Sequence, residues 1–176
     1  LFINKQSVNY NGPDSGKQAF SLYNRNFGIE YNLASSNNQW TGKMLLLKSF
    51  SPGEPGSSWI HAGNLQYSSR RWTISWQHEY VGKNFIAESG YIPRKNYIKT
   101  NLLASRLFFP GKGKVVSHGP RFVSTYYFTP ALKETDHENL LLYLVNFRNQ
   151  SVFDVWAGEV FIELQQPFDP TNSGKD

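Results

Sequence analysis

Cysteine is absent from all 176 residues, and methionine occurs once. The first absence excludes disulfides and thiolate metal sites and leaves the redox compartment open. No apolar run approaches the roughly 18 residues that a membrane helix needs; the longest pieces are "MLLL" at 44–47 and "LLLYLV" at 140–145. The mean hydropathy of -0.50 does not exclude a membrane β-barrel, because half of each barrel strand faces a polar interior. Concentrated basic charge is missing too. The net charge is +5, but the 18 Lys and Arg are scattered, with Arg70 and Arg71 the tightest cluster, and this is not the one-sided patch of a nucleic-acid binder.

Catalytic signatures are likewise missing. "HEYVG" at 78–82 lacks the second histidine of H-E-x-x-H, and His78 and Glu79, adjacent on a strand, point to opposite faces and do not share an ion. G-x-S-x-G is absent. "GEPGSSW" at 53–59 is glycine-rich but has no Lys-Ser/Thr of a phosphate loop, and reads as a turn. No cofactor or metal site is expected.

What is abundant is aromatic: 13 Phe, 10 Tyr and 5 Trp, 16% of the chain, a usage that suits strands. In "WTISWQHEYV" at 72–81, Trp72, Ile74, Trp76, His78 and Tyr80 alternate with Thr73, Ser75, Gln77 and Glu79. Period two marks a strand with one apolar and one polar face. Phe27, Ile29, Tyr31 and Leu33 alternate with Gly28, Glu30 and Asn32, and Trp156, Val160, Ile162 and Leu164 with Glu159 and Glu163. His61 and His78 fall on aromatic faces; Glu30, Glu79, Glu88, Glu159 and Glu163 fall on polar ones.

Gly, Pro, Asn, Asp and Ser punctuate these runs, as in "SSNNQ" at 35–39, "SSRR" at 68–71, "VGKN" at 81–84, "PRKN" at 93–96, "PGKGK" at 110–114, "KETDHEN" at 133–139 and "RNQS" at 148–151. Between the turns the sequence predicts nine or ten strands, at 1–5, 19–34, 40–50, 59–68, 72–81, 85–92, 96–109, 121–132, 139–148 and 152–166. No gap holds a crossover helix, so the expected fold is all-β, an antiparallel up-and-down meander in one domain over 1–166. Residues 167–176 read as a loop or frayed end, and a helical turn fits only within 131–139. The opening "LFINK" carries no signal peptide and reads as the interior of a longer polypeptide.

Alternation alone fits a soluble barrel or sandwich as well as a transmembrane barrel. Strands of about ten residues suit a tilted membrane crossing, and aromatics gather near strand ends as in interfacial girdles. On that reading Trp40, Trp59, Trp72, Trp76, Tyr80 and Trp156 belong to the membrane side, with Trp76 facing lipid. Glu79, Glu88, Lys99, Arg106, Arg148 and Glu163 line the interior, where charges of both signs pair across strands. The basic residues of "SSRRW" at 68–72 and "PRKNY" at 93–97 suit the headgroup layer, stems in apolar surroundings and charges out.

Three stretches carry a family likeness: "YNRNFGIEYNLASSNNQWTGKMLLLKSFSP" at 23–52, "HEYVGKNFIAESGYIPRKNYIKT" at 78–100 and "LFFPGKGKVVSHGP" at 107–120. They resemble the C-terminal domain of a family of Gram-negative outer-membrane proteins whose N-terminal domain is like carbohydrate-binding module family 9. The best-matching elements are Asn37 to Lys43, "KSFSP" ending at Pro52, and "AESGYIPRKNY" from Ala87 to Tyr97. The resemblance implies part or all of a transmembrane β-barrel in the outer membrane, with a non-enzymatic role in transport, anchoring or scaffolding. It implies outer-membrane lipid as partner, with other envelope proteins or a saccharide, and no nucleic acid. The competing expectation is a soluble all-β module that binds a carbohydrate or hydrophobic ligand.

Overall fold

The computed structural model describes residues 2–6, 23–53, 56–88 and 90–163. They form β1 (Phe2–Gln6), β2 (Tyr23–Ala34), β3 (Trp40–Phe50), β4 (Trp59–Ser68), β5 (Trp72–Val81), β6 (Tyr97–Arg106), β7 (Val115–Phe128), β8 (Glu134–Phe147) and β9 (Val152–Ile162), with no helix among the described residues. All nine belong to one sheet in chain order, each neighbour antiparallel. The short connections dictate this order, since a chain that reverses within a few residues has only its neighbour to pair with. β1 and β9 are the sheet's two edges and run the same way.

The connections alternate between the two ends of the sheet. At the turn end lie 35–39, 69–71, 107–114 and 148–151; at the loop end lie 51–58, 82–96 and 129–133.

Register carries the period-two pattern across the sheet. Tyr31, Met44, Gly63, His78, Thr100, Tyr126, His137 and Phe161 are partners in turn across β2 to β9. So are Leu33, Gly42, Leu65, Trp76, Leu102, Ser124, Asn139 and Glu159. Directly opposed residues share a face, and this is the aromatic face. The other face carries Glu30, Leu45, Ala62, Glu79, Lys99, Tyr127 and Asp136 in one row. It is polar along β2 to β6 and turns apolar toward β9, through Leu140, Leu142 and Trp156.

A single sheet has no second layer against which to bury an apolar face, and the aromatic face is accordingly open: Ile29, Tyr31, Met44, Trp76 and Leu141 are all exposed. Among the described residues the buried hydrophobics are Val81, Phe85 and Tyr97, all toward the loop end with the buried polar Asn24, Asn26, Ser49, Ser58 and Thr135, while buried Ser105 and Ser117 lie toward the turn end. The small core therefore sits at the loop end, under residues 82–96.

Three expectations are corrected, while the strand count falls within the nine or ten expected. The described residues of 85–92 form no strand; those of 82–96 make a loop between β5 and β6. Gly82 opens it because its amide donates to the Trp59 carbonyl, and a Cβ there would lie 2.1 Å from the Ser57 carbonyl oxygen. Val115 to Pro120 belong to β7, their alternation masked by Gly119 and Pro120. Residues 134–139, expected as a turn, open β8, because Asp136 and Glu138 take the polar face while His137 and Asn139 take the aromatic one; the turn is 129–133. The strand count is therefore nine, including the stub. The expected strand start at 19, the domain end at 166 and the loop at 167–176 lie outside the described residues.

Candidate functional site

Residues 82–96 fold back over the polar face. Phe85, 2% exposed, is its anchor. Asn24 of β2, itself buried, receives the backbone beside it: Asn24 Nδ2 donates to the Ile86 carbonyl and to Ser51 Oγ, each at 3.0 Å, and Asn24 Oδ1 accepts from the Glu88 amide at 3.2 Å. Asn26 Nδ2 donates to the same Oδ1 at 2.8 Å, and Ser49 Oγ accepts from the Ile86 amide at 3.1 Å. A loop with no ladder of its own must satisfy its backbone somewhere, and here the side chains of β2 and β3 do so.

The far side of the loop is held by charge. Arg94 donates to Asp136 Oδ2 of β8 at 2.8 Å and to Thr135 Oγ1 at 3.2 Å. Its guanidinium lies 5.5 Å from the Tyr97 ring and 5.1 Å from the Tyr127 ring, a geometry in which a cation gains from the aromatic faces. The Tyr97 hydroxyl is hydrogen-bonded to Glu79, and Lys99 Nζ stands 5.4 Å from the Tyr127 ring. Two hollows flank Lys99: one of about 260 Å³ beside Lys43, Asn64, Gln77 and Glu79, and one of about 440 Å³ beside Arg94, Tyr127, Asp136 and Glu138. Amides, ammonium and carboxylate groups side by side suit the binding or passage of polar solutes.

The aromatic face has its own order. At the turn end Trp40 packs on Tyr67 with ring centroids 5.1 Å apart, and the Arg106 guanidinium caps Trp72 at 5.0 Å and Phe108 at 4.8 Å. At the loop end Lys48 Nζ stands between Phe50 at 5.4 Å and Trp59 at 5.2 Å. One polar row crosses between them: Trp76 Nε1 donates to Thr100 Oγ1, Ser124 Oγ donates to Asn139 Oδ1, and Asn139 Nδ2 donates to Tyr126 Oη and Glu159 Oε1.

The predicted site residues divide accordingly. Glu79 and Lys99 are register partners on the polar face. Arg106 is corrected: it opposes Trp72 on the aromatic face. Glu88 lies in the loop, not on a strand; Arg148 sits in a turn, donating to the Gly111 carbonyl at 3.4 Å; and Glu163 follows β9 and pairs with Lys133 at 2.6 Å. Glu159 lies on the aromatic face, contrary to expectation.

Trp40, Trp59, Trp72, Trp76 and Tyr80 share the aromatic face, whereas Trp156 opposes Leu142 on the other. β9 is apolar at both parities, with Phe153, Val155 and Phe161 on one side and Trp156, Val160 and Ile162 on the other, so alternation left its orientation undefined. Arg94, expected among headgroups, instead reaches across the polar face. Asn24, Ser49, Tyr127 and Asp136 carried no sequence signal of their roles, because their partners lie up to 64 residues away.

Among the described residues no group of three His, Cys, Asp or Glu is placed to hold a metal ion. No protein-family model, curated protein or solved structure matches this chain.

Proposed function

We propose that the nine strands are a wall of an outer-membrane β-barrel of a Gram-negative bacterium, non-enzymatic, with its aromatic face in lipid and its polar face lining the interior. The observation that carries the reading is the exposed apolar face bounded at both ends by cation-capped aromatics. Trp40 and Phe50 bracket β3; ten residue steps amount to about 33 Å along a strand, or about 25 Å of height at a tilt near 40°, the height of the apolar band of such barrels.

The loop supports the same reading and favours transport over anchoring or scaffolding. It holds β2 through Asn24 and β8 through Asp136; Asp136 lies in the register row of Glu30, so the two are about 35 Å apart on a flat sheet. The chain from Glu88 to Arg94 extends at most about 21 Å. Side-chain reach and curling of the sheet toward its polar face make up the difference, and an inward loop on such a wall narrows the path of a solute. A ring closed wholly by antiparallel pairs needs an even number of strands; β1 and β9 run the same way, so at least one further strand must stand between them.

The test is the need for detergent. The chain is expected to be monodisperse only in detergent and to float with phosphatidylcholine vesicles on a density gradient. A monodisperse chain in plain buffer would sink the membrane reading in favour of a soluble module with a carbohydrate or hydrophobic ligand.

A further inference from the structure

A hollow of about 620 Å³ opens on the aromatic face between β2 and β5. Gly42 and Gly63 form its floor: both occupy aromatic-face positions, opposite Leu65 and Met44, and neither has a side chain to fill the space. Tyr31, Met44, Leu65 and Trp76 stand around it. From His61 to Leu65 it runs about 13 Å along the strands.

The loop-end rim is polar. The His61 and His78 rings stack with centroids 4.8 Å apart, and His78 Nε2 lies 2.8 Å from His61 Nδ1. One nitrogen donates and the other accepts. Whichever carries the shared proton, a neutral pair keeps one further N–H donor and one lone pair, on His61 Nε2 and His78 Nδ1. His61 is two residues inside Trp59, about 7 Å along the strand. That is just beneath the aromatic girdle, the depth at which a lipid's ester groups give way to its chains.

We propose that this hollow holds one acyl chain of a glycerophospholipid, with an ester carbonyl oxygen accepting the free imidazole N–H. The inference rests on the barrel-wall reading and deepens it, by assigning one fixed lipid to a face that otherwise meets bulk lipid. The chemistry matches at both ends of the site: hydrocarbon and aromatic walls for the chain, and a single neutral donor for an uncharged carbonyl.

The experiment refolds the chain into phosphatidylcholine vesicles, extracts it into mild detergent and counts retained phosphatidylcholine by native mass spectrometry. The unaltered chain is expected to keep one lipid. Gly63→Leu is expected to lower retention at least tenfold. A Cβ at Gly63 meets only Lys43 and Met44 atoms at 3.6 to 3.9 Å, so the backbone tolerates the change, whereas at Gly42 it would lie 2.8 Å from the Asn64 carbonyl. His78→Phe preserves the ring stack but breaks the imidazole pair, and should weaken retention without altering vesicle insertion. An inserted chain that emerges without lipid, or Gly63→Leu that retains as much as the unaltered chain, overturns the proposal and leaves the barrel reading intact. A chain that never joins the vesicles overturns both.

Discussion

Trp76 stands midway along β5, between Trp72 and Tyr80, with its indole on the exposed aromatic face. Gln77 points the other way, in register with Asn64 and Asn101. The pair therefore tests the assignment of faces residue by residue. Trp76→Arg is expected to weaken refolding in lipid by about 2–4 kcal/mol, the cost of a cation at the middle of the apolar band. Gln77→Arg, directed into the polar side, should cost far less. Equal effects in urea titrations of the two variants would contradict this orientation.

At the same scale, Gly82 is required by proximity. Its Cβ position overlaps the Ser57 carbonyl and lies 2.8 Å from that of Trp59, so Gly82→Ala forces two backbones apart and is expected to cost about 1–3 kcal/mol. The same denaturant titration reads the loss. The Trp76 contrast follows from the alternation of β5, whereas the role of Gly82 was not legible: a glycine in "VGKN" marks a turn in any sequence, and only the neighbouring strand shows that it also serves a close approach.

Among the elements, the loop 82–96 departs most from its sequence pattern. Phe85, Ala87 and Tyr91 alternate like strand residues, yet no neighbouring strand has a free edge for them, since β5 already pairs with β6. The loop is instead closed by Asn24 on one side and Arg94 on the other. Asn24→Ala removes the hydrogen bonds that Asn24 makes to the Ile86 carbonyl and the Glu88 amide in a buried setting, a loss of about 1–3 kcal/mol that should appear as faster amide exchange confined to 85–88. Arg94→Ala releases the far anchor. In planar bilayers it is expected to raise conductance if the loop narrows a path; unchanged conductance in a correctly folded variant would remove the loop from that role. The strands themselves were largely legible, because period two and turn residues are local signals. The start of β8 carries no strand signal, because "KETDHEN" is polar on both faces there, where the sheet tolerates charge at its loop end.

For the whole molecule the question is what covers the aromatic face. A single nine-stranded sheet that exposes its apolar side and buries Asn24, Ser49 and Phe85 on the other is the inverse of a soluble sandwich, whose aromatics pack inward. On the proposed reading lipid is the solvent that makes this arrangement favourable, and the detergent requirement tests that at the scale of the molecule. The cations at the two ends fit the same picture: the charged groups of Lys48 and Arg106 themselves stand over the rings of Trp59 and Trp72, where a cation gains from an aromatic face.

By itself the sequence determined an all-β antiparallel meander, the positions of most strands and turns, and an aromatic side on β2 and β5. These follow from side-chain alternation and turn chemistry, which act between residues close in the chain. Only the tertiary structure decided which face Arg106, Trp156 and Glu159 share with the other strands, that the loop after β5 folds over the polar face onto Asn24 and Asp136, and that His61 and His78 meet beside Gly42 and Gly63. Those facts depend on register between strands and on hydrogen bonds spanning tens of residues, and no local pattern encodes a distance across the sheet.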